Sequence, residues 1–262
     1  IELYLSITLR KLKKIDECLD ILKKYYEKNK NKIFVIYELG LAYQGLGEYK
    51  KSIKYFNKCL KIKPDFIKAL NGIGLCCLKL KKFDLALINF NKAINLKQDF
   101  VDPYINIGLL NRTIGNFDKA HNYYSKAISI DPNSPDANLG IAMCLLTQGK
   151  FSEGWKYYKW RFEGKNLSKI HNEIINIPKA KDIEDLKNKK LLIFCEQGLG
   201  DIILFSRYLK ILLSYNSKIF FKAPKPLINI LKTLDNKIIV DKDLPKDKKF
   251  DYYCSLIDIP II

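Results

Sequence analysis

The sequence predicts an all-α superhelical solenoid of helix-turn-helix repeats followed by an incomplete α/β lobe, and three observations carry that prediction. A residue pattern recurs every 34 positions from Ile33 without insertion or deletion. That period is the length of a two-helix unit that can bury its apolar face only against its neighbours. After Lys190 the pattern changes to short apolar runs alternating with helical stretches, and a polar segment around Pro178 separates the two regimes.

Four copies of the unit begin at Ile33, Ile67, Val101 and Pro135. Their eighth positions are Gly40, Gly74, Gly108 and Ala142, and their twentieth are Ser52, Ala86, Ala120 and Gly154. Small residues at these places let two helices cross closely. Large rings stand at the twenty-fourth position, Phe56, Phe90, Tyr124 and Tyr158, and at the seventeenth, Tyr49, Phe83, Phe117 and Phe151. Gly47, Gly115 and Gly149 fall between the two helices of their units, while Pro64 and Pro132 close units at one phase. Asp84 and Asp118 open second helices, where a carboxylate suits the positive helix end. Projected backward, Leu5, Ile15, Cys18 and Leu22 take packing positions, so residues 1–32 read as a divergent or truncated fifth unit. Because a helical pattern is already running at Ile1, the natural N-terminus is expected upstream.

These coincident positions resemble the tetratricopeptide repeat family over residues 1–164. The resemblance implies a superhelix whose concave groove is lined by the first helix of each unit, through its fifth, ninth and twelfth positions. Here these are Tyr37, Leu41 and Gln44, then Asn71, Leu75 and Leu78, then Ile105, Leu109 and Arg112, then Leu139, Met143 and Leu146. Members that clamp a C-terminal carboxylate carry a Lys, Asn and Arg set that this sequence does not reproduce, so an apolar or helical segment of a partner protein is the expected ligand. Part of the stripe can equally serve as core between repeats.

The last unit departs from the pattern. Arg161 replaces the small twenty-seventh residue, and Trp155, Tyr158 and Phe162 share one face of its second helix while Tyr157 and Trp160 share another. A helix apolar on two sides should dock a further layer. Residues 165–189 are polar and charged and read as a linker.

From 190 to 262 the order is strand (Leu191 to Cys195), glycine loop (Glu196-Gln197-Gly198-Leu199-Gly200-Asp201), helix (Ile202 to Ser214) and strand (Lys218 to Lys222). A helix near Pro226 to Leu234, a strand at Lys237 to Val240 and a fourth near Phe250 to Cys254 complete it. Alternation of this kind implies a parallel sheet. Ile203 stands where a dinucleotide fingerprint needs its third small residue, and Lys222 and Ala223 end the second strand without an acid, which argues against a nicotinamide enzyme. Backbone amides at a helix N-terminus still suit a phosphate or carboxylate.

Taken with Trp155-x-x-Tyr158-x-Trp160-Arg161-Phe162, Phe205-x-Arg207-Tyr208 and Phe250-Asp251 near Ile259-Pro260, the glycine-loop block resembles bacterial proteins that join tetratricopeptide repeats to a glycosyltransferase-like domain. Those domains are similar to heptosyltransferases of family 9 with the two-lobed GT-B fold, whose N-terminal lobe is Rossmann-like. The resemblance implies a nucleotide-sugar donor, a sugar acceptor, an acceptor or phosphate loop at Glu196, Gln197, Gly198 and Gly200, and Asp201 as the base for the acceptor hydroxyl. It places Pro178-Lys179-Ala180-Lys181 where that family often has a Trp-Gly pair. With half of one lobe present, this stretch alone is expected to be inactive. An adaptor with a degenerate α/β tail is the other reading.

Composition narrows the remaining classes. The net charge of +18 comes from 42 Lys and only 4 Arg spread over nearly every helix face. Base-reading surfaces favour the Arg fork, so no specific nucleic-acid partner is expected. Seven cysteines without a Cys-x-x-Cys pair read as buried, reduced thiols of a cytoplasmic protein. Neither a metal nor a cofactor is expected, and no apolar run reaches membrane-spanning length.

Overall fold

In the computed structural model, residues 2–161, 174, 176–196, 198–244 and 249–261 are described. Gln197 of the expected loop, Phe162 of the expected aromatic face and most of the expected linker before Ile174 lie outside these residues. The chain divides into two compact units, Ile1–Lys165 and Asn166–Ile262.

The first unit pairs helices α1 (Glu2–Lys11) and α2 (Ile15–Lys28), α3 (Ile33–Gly45) and α4 (Tyr49–Ile62), and α5 (Ile67–Lys79) and α6 (Phe83–Leu96). The remaining pairs are α7 (Val101–Thr113) with α8 (Phe117–Ile130) and α9 (Pro135–Thr147) with α10 (Phe151–Tyr158). Each odd-numbered helix touches the next odd one, so α1, α3, α5, α7 and α9 form one continuous layer. Even-numbered helices pack against the odd helices on either side of them in the sequence.

Helices α2 to α10 lack a side-chain hydrogen bond at the N-cap. Helices this short are marginal alone, so packing holds them. The packing follows the small and large positions of the period. A Cβ built on Gly40 would stand 2.5 Å from Phe56 Cε1 and one on Gly72 2.6 Å from Phe56 Cε2, so a fully buried ring fills the space between two glycines. Tyr124 fills the same space between Gly108 and Gly140, and Phe90 lies against Gly74. Ser52 adds a bond, its Oγ donating to the Gly40 carbonyl at 2.7 Å.

The turn inside each pair is left-handed at one phase throughout. Position fifteen is Lys13 (φ 62°), Gly47 (77°), Lys81 (58°), Gly115 (83°) and Gly149 (76°). Lys13 shows that a fifth unit precedes Ile33 with the same turn, although no glycine marks it.

The second unit holds a four-stranded parallel sheet in the order β3-β2-β1-β4, made of β1 (Lys190–Phe194), β2 (Lys218–Lys222), β3 (Ile238–Asp241) and β4 (Tyr252–Ser255). Lys190 is in register with Lys218, Leu191 with Tyr252, and Ile219 with Ile238. Helices α11 (Leu199–Ser206) and α12 (Leu209–Ser214) join β1 to β2, dividing the helix expected from Ile202 to Ser214. A single turn, Lys225–Leu227, and the short α13 (Ile228–Lys232) precede β3. Leu191, Ile193, Ile219, Phe221, Ile238 and Val240 share a core with Ile202, Leu209, Leu212 and Leu231.

Residues 176–189 are built into this unit. Ala180 N–H donates to the Tyr253 carbonyl and Tyr253 N–H to the Pro178 carbonyl, both at 2.9 Å, and Leu186 is buried. Lys179 Nζ meets the buried Asp258 carboxylate at 3.0 Å. Alternating charge made this stretch read as linker, but its few apolar residues are the ones that pack.

Candidate functional site

Continuity of the odd-helix layer brings the expected groove residues together. Tyr37, Leu41, Leu75, Ile105, Leu109, Arg112 and Met143 are half-buried, as are Gln44, Leu139 and Leu146. Each keeps surface for a ligand while its stem packs on the core. Leu41, Leu75 and Leu109 lean on the cluster built around Phe56 and Phe90, and Ile105 on the one around Tyr124. The Tyr37 ring is held 5.6 Å from that of Phe56 and 5.2 Å from that of Phe66. Burial first, then the neighbouring Glu38, pushes its phenol up to about 12.

Asn71 and Leu78 depart from the expected role. Both are 7% exposed and lie beneath the groove surface. The Asn71 carboxamide turns sideways to Asn106, and Leu78 fills the seam between repeats.

Further groove features follow from the period. Position two carries the exposed Phe34, Lys68, Asp102 and Asp136. Asp102 keeps surface, yet the protein around its carboxyl partly shields it from water; that desolvation, then Asp136, raises the carboxyl above its ordinary value, with Lys68 opposing. Counting from position one of each repeat would have found this pair of acids, since they stand 34 residues apart.

In the second unit the glycine loop sits where expected, at the C-terminal edge of β1. Gly198 is the N-cap of α11, and Asp201 lies in the first helical turn, so it is not the cap that an Asp ahead of a helix would be. Its carboxylate is favoured there by the helix dipole, and its residue is exposed. A Cβ on Gly200 would meet nothing within 4 Å, which leaves the first turn open. Glu196 turns to β4 and accepts a hydrogen bond from Ser255 Oγ at 2.5 Å. Arg207 stacks on the Tyr208 ring with its guanidinium carbon 5.0 Å from the centroid, a surface contact away from the loop. A cleft of about 750 Å³ opens at the other edge of the sheet, with Phe220, Ile239 and Phe250 among Lys190, Lys218, Lys237 and Lys249.

The paired-helix array with a constant internal phase defines an interaction solenoid. Residues 34–66, 67–100 and 115–154 match tetratricopeptide repeat family models, and the chain therefore carries tetratricopeptide repeats. These matches stay within the first unit. Among solved structures, TTC0263, described as a thermophilic TPR protein in Thermus thermophilus, is similar with a TM-score of 0.57. It is 17% identical, over 62% of this chain and 89% of that one. The structure of Pseudomonas aeruginosa pilF gives 0.54 at 18% identity, over 63% of this chain and 75% of that one. A crystal structure of MamA gives 0.48 at 25% identity, over 60% and 92%. The first two share the repeat fold. No curated protein matches the chain. Among the described residues no helix is long and apolar enough to cross a membrane.

Proposed function

We propose that the repeats are a protein-interaction scaffold that captures an apolar segment of a partner protein along the stripe Tyr37, Leu41, Leu75, Ile105, Leu109 and Met143. One observation carries this reading: these residues are half-buried in a continuous layer, whereas core positions of the same helices, such as Leu39, Ile73 and Ile107, are buried. Amphipathic segments dock on such stripes through a few apolar anchors. The seven free thiols support a reducing, cytoplasmic setting.

The experiment is selection of displayed twelve-residue peptides on the protein, followed by titration of the enriched peptides. Leu75→Glu with Leu109→Glu should abolish binding while circular dichroism stays unchanged, because charges then stand in the apolar stripe. Binding that survives this change but vanishes at moderate salt would assign recognition to the net positive charge and overturn the groove.

A second reading concerns the α/β unit. Its parallel order β3-β2-β1-β4, with the glycine loop at the C-terminal edge of β1, supports the Rossmann-like acceptor lobe of a glycosyltransferase that takes sugar from a nucleotide-sugar donor. Asp201 would take the proton of the acceptor hydroxyl as its oxygen attacks the anomeric carbon and the nucleotide departs. Glu196, Gly198 and Gly200 would shape the loop, as would Gln197. Transfer by the full-length protein from a panel of nucleotide-sugars tests it: there Asp201→Asn should cost ~10²-fold or more. Absence of transfer by the unsubstituted full-length protein with every donor leaves the adaptor reading.

A further inference from the structure

At two seams, position twelve of the first helix reaches across to the next repeat, to a residue 28 positions later. At the first seam Arg10 Nε donates to Glu38 Oε2 at 3.0 Å. At the second, Gln44 Nε2 donates to the Gly72 carbonyl at 3.4 Å and reaches Cys76 Sγ at 3.4 Å. Leu78 closes the third as a buried apolar residue. The fourth seam has Arg112, and the residue 28 positions on is Gly140.

A cation therefore stands at two seams, and only the first supplies its carboxylate. Gly140 cannot be traded for an acid, because a Cβ there would lie 2.4 Å from Tyr124 Cε1. Arg112 Nε is buried and without a hydrogen-bond partner among the described residues. The guanidinium hydrogen-bonds the Tyr124 hydroxyl and lies near the Cys144 thiol, opposing the rise that burial causes in both. Position twenty-four is Phe in the two preceding repeats, so the hydroxyl of Tyr124 occurs only beside this arginine among those three. Asp118, an acid that also acts on Cys144, is engaged elsewhere, since its Oδ1 accepts from Gln148 Nε2 at 3.0 Å.

Around Arg112 the groove is apolar, with Leu109, Leu139, Met143 and Leu146 half-buried. At the far end of the same helices, ~15 Å away by the rise per residue, stand Asp102 and Asp136. Charge complementarity thus differs along the groove: a carboxylate is matched at Arg112 and repelled at Asp102.

We propose that Arg112 is the carboxylate receptor of the groove, and that the captured segment is an apolar stretch bearing one Asp or Glu. That side chain pairs with the part of Arg112 that keeps surface in the groove, beside the buried Nε. The inference rests on the groove reading above and adds the chemistry of its ligand. Arg is suited to the task because its fork binds a carboxylate bidentately.

The test uses peptides enriched from the display selection, each synthesised with its acidic residue and with the matching amide. Arg112→Leu copies Leu78 at the equivalent position, so it should fold, and circular dichroism checks that it does. Changing the peptide's Glu to Gln leaves the protein untouched and keeps the test decisive if the variant fails to fold. The expected result is an enriched acid flanked by apolar residues. Its Glu-to-Gln change should weaken binding roughly ten-fold or more to the unsubstituted protein and by less than about two-fold to Arg112→Leu. Peptides that are blocked by Leu75→Glu with Leu109→Glu, yet bind equally as acid and amide, overturn this inference and leave the groove standing. Binding indifferent to the leucine changes, or no enriched peptide, overturns the groove reading and this inference with it.

Discussion

The side-chain amide of Asn106 donates to Asn71 Oδ1 across 2.8 Å, tying α7 to α5 while both side chains are buried. Removing one partner strands the other without water, which costs more than the bond contributes. Asn106→Ala should lower unfolding free energy by about 1–3 kcal/mol in urea titrations. Asn71→Ala should cost a similar amount, and the double variant clearly less than the sum. Additive losses would show that the two amides act independently.

Lys81 occupies the turn position where Gly47, Gly115 and Gly149 stand, with φ 58°. A Cβ in that region is strained and glycine is not. Lys81→Gly should therefore stabilise the array by about 1 kcal/mol, read as a higher Tm. Gly115→Ala should shift it the other way, since no neighbour lies within 4 Å and only backbone strain is added.

Gly74→Ala probes the ring layer. The new methyl would stand 2.4 Å from Phe90 Cε1, and Phe90 is fully buried with nowhere to retreat. Overpacking of this kind costs about 1–3 kcal/mol. Phe90→Leu in the same chain should recover part of the loss by making room, whereas on its own it should destabilise by leaving a cavity. A rescue that fails to appear in thermal melts would mean the glycine is needed for something other than the ring.

Legibility of the fold in the sequence follows from which residues repeat. Glycine, alanine and aromatic positions recur with the period because every repeat must solve the same packing problem, so the helices and their boundaries could be read directly. Position fifteen escaped at Lys13 and Lys81 because left-handed backbone is favoured by glycine but not restricted to it. Asn71 read as a groove residue from its phase alone. Its burial comes from Asn106, which sits 35 residues away and only meets it once the repeats stack. The seam partners Arg10 and Glu38 were missed for a similar reason, since no single repeat contains both. In the second unit, alternation implied a parallel sheet, but the start of its first helix at Leu199 was not visible. The helix begins three residues earlier than the apolar run does, and that places Asp201 inside the first turn.

Alkaline pH supplies a last test of the buried layer. Cys59 is wholly buried, and burial pushes its thiol from 9.0 up to about 12. In the unfolded chain the same thiol ionises near its ordinary value. Between those two values the unfolded state binds fewer protons than the folded one, so stability falls as pH rises from about 9, by at most ~1.4 kcal/mol per pH unit for one proton. Below that window the thiol is neutral in both states and has no effect. Position twenty-seven is Ala93 and Ala127 in the next two repeats, so Cys59→Ala puts the array's own alternative in its place. The variant should lose a little packing at pH 7 and show a shallower decline from pH 9 to 11 in urea titrations. Lysines and tyrosines titrate over the same range, but they do so in both proteins, and the difference in slope isolates Cys59. Equal slopes would mean that Cys59 ionises in the folded array as readily as in the unfolded chain, and that solvent reaches a layer whose rings should exclude it.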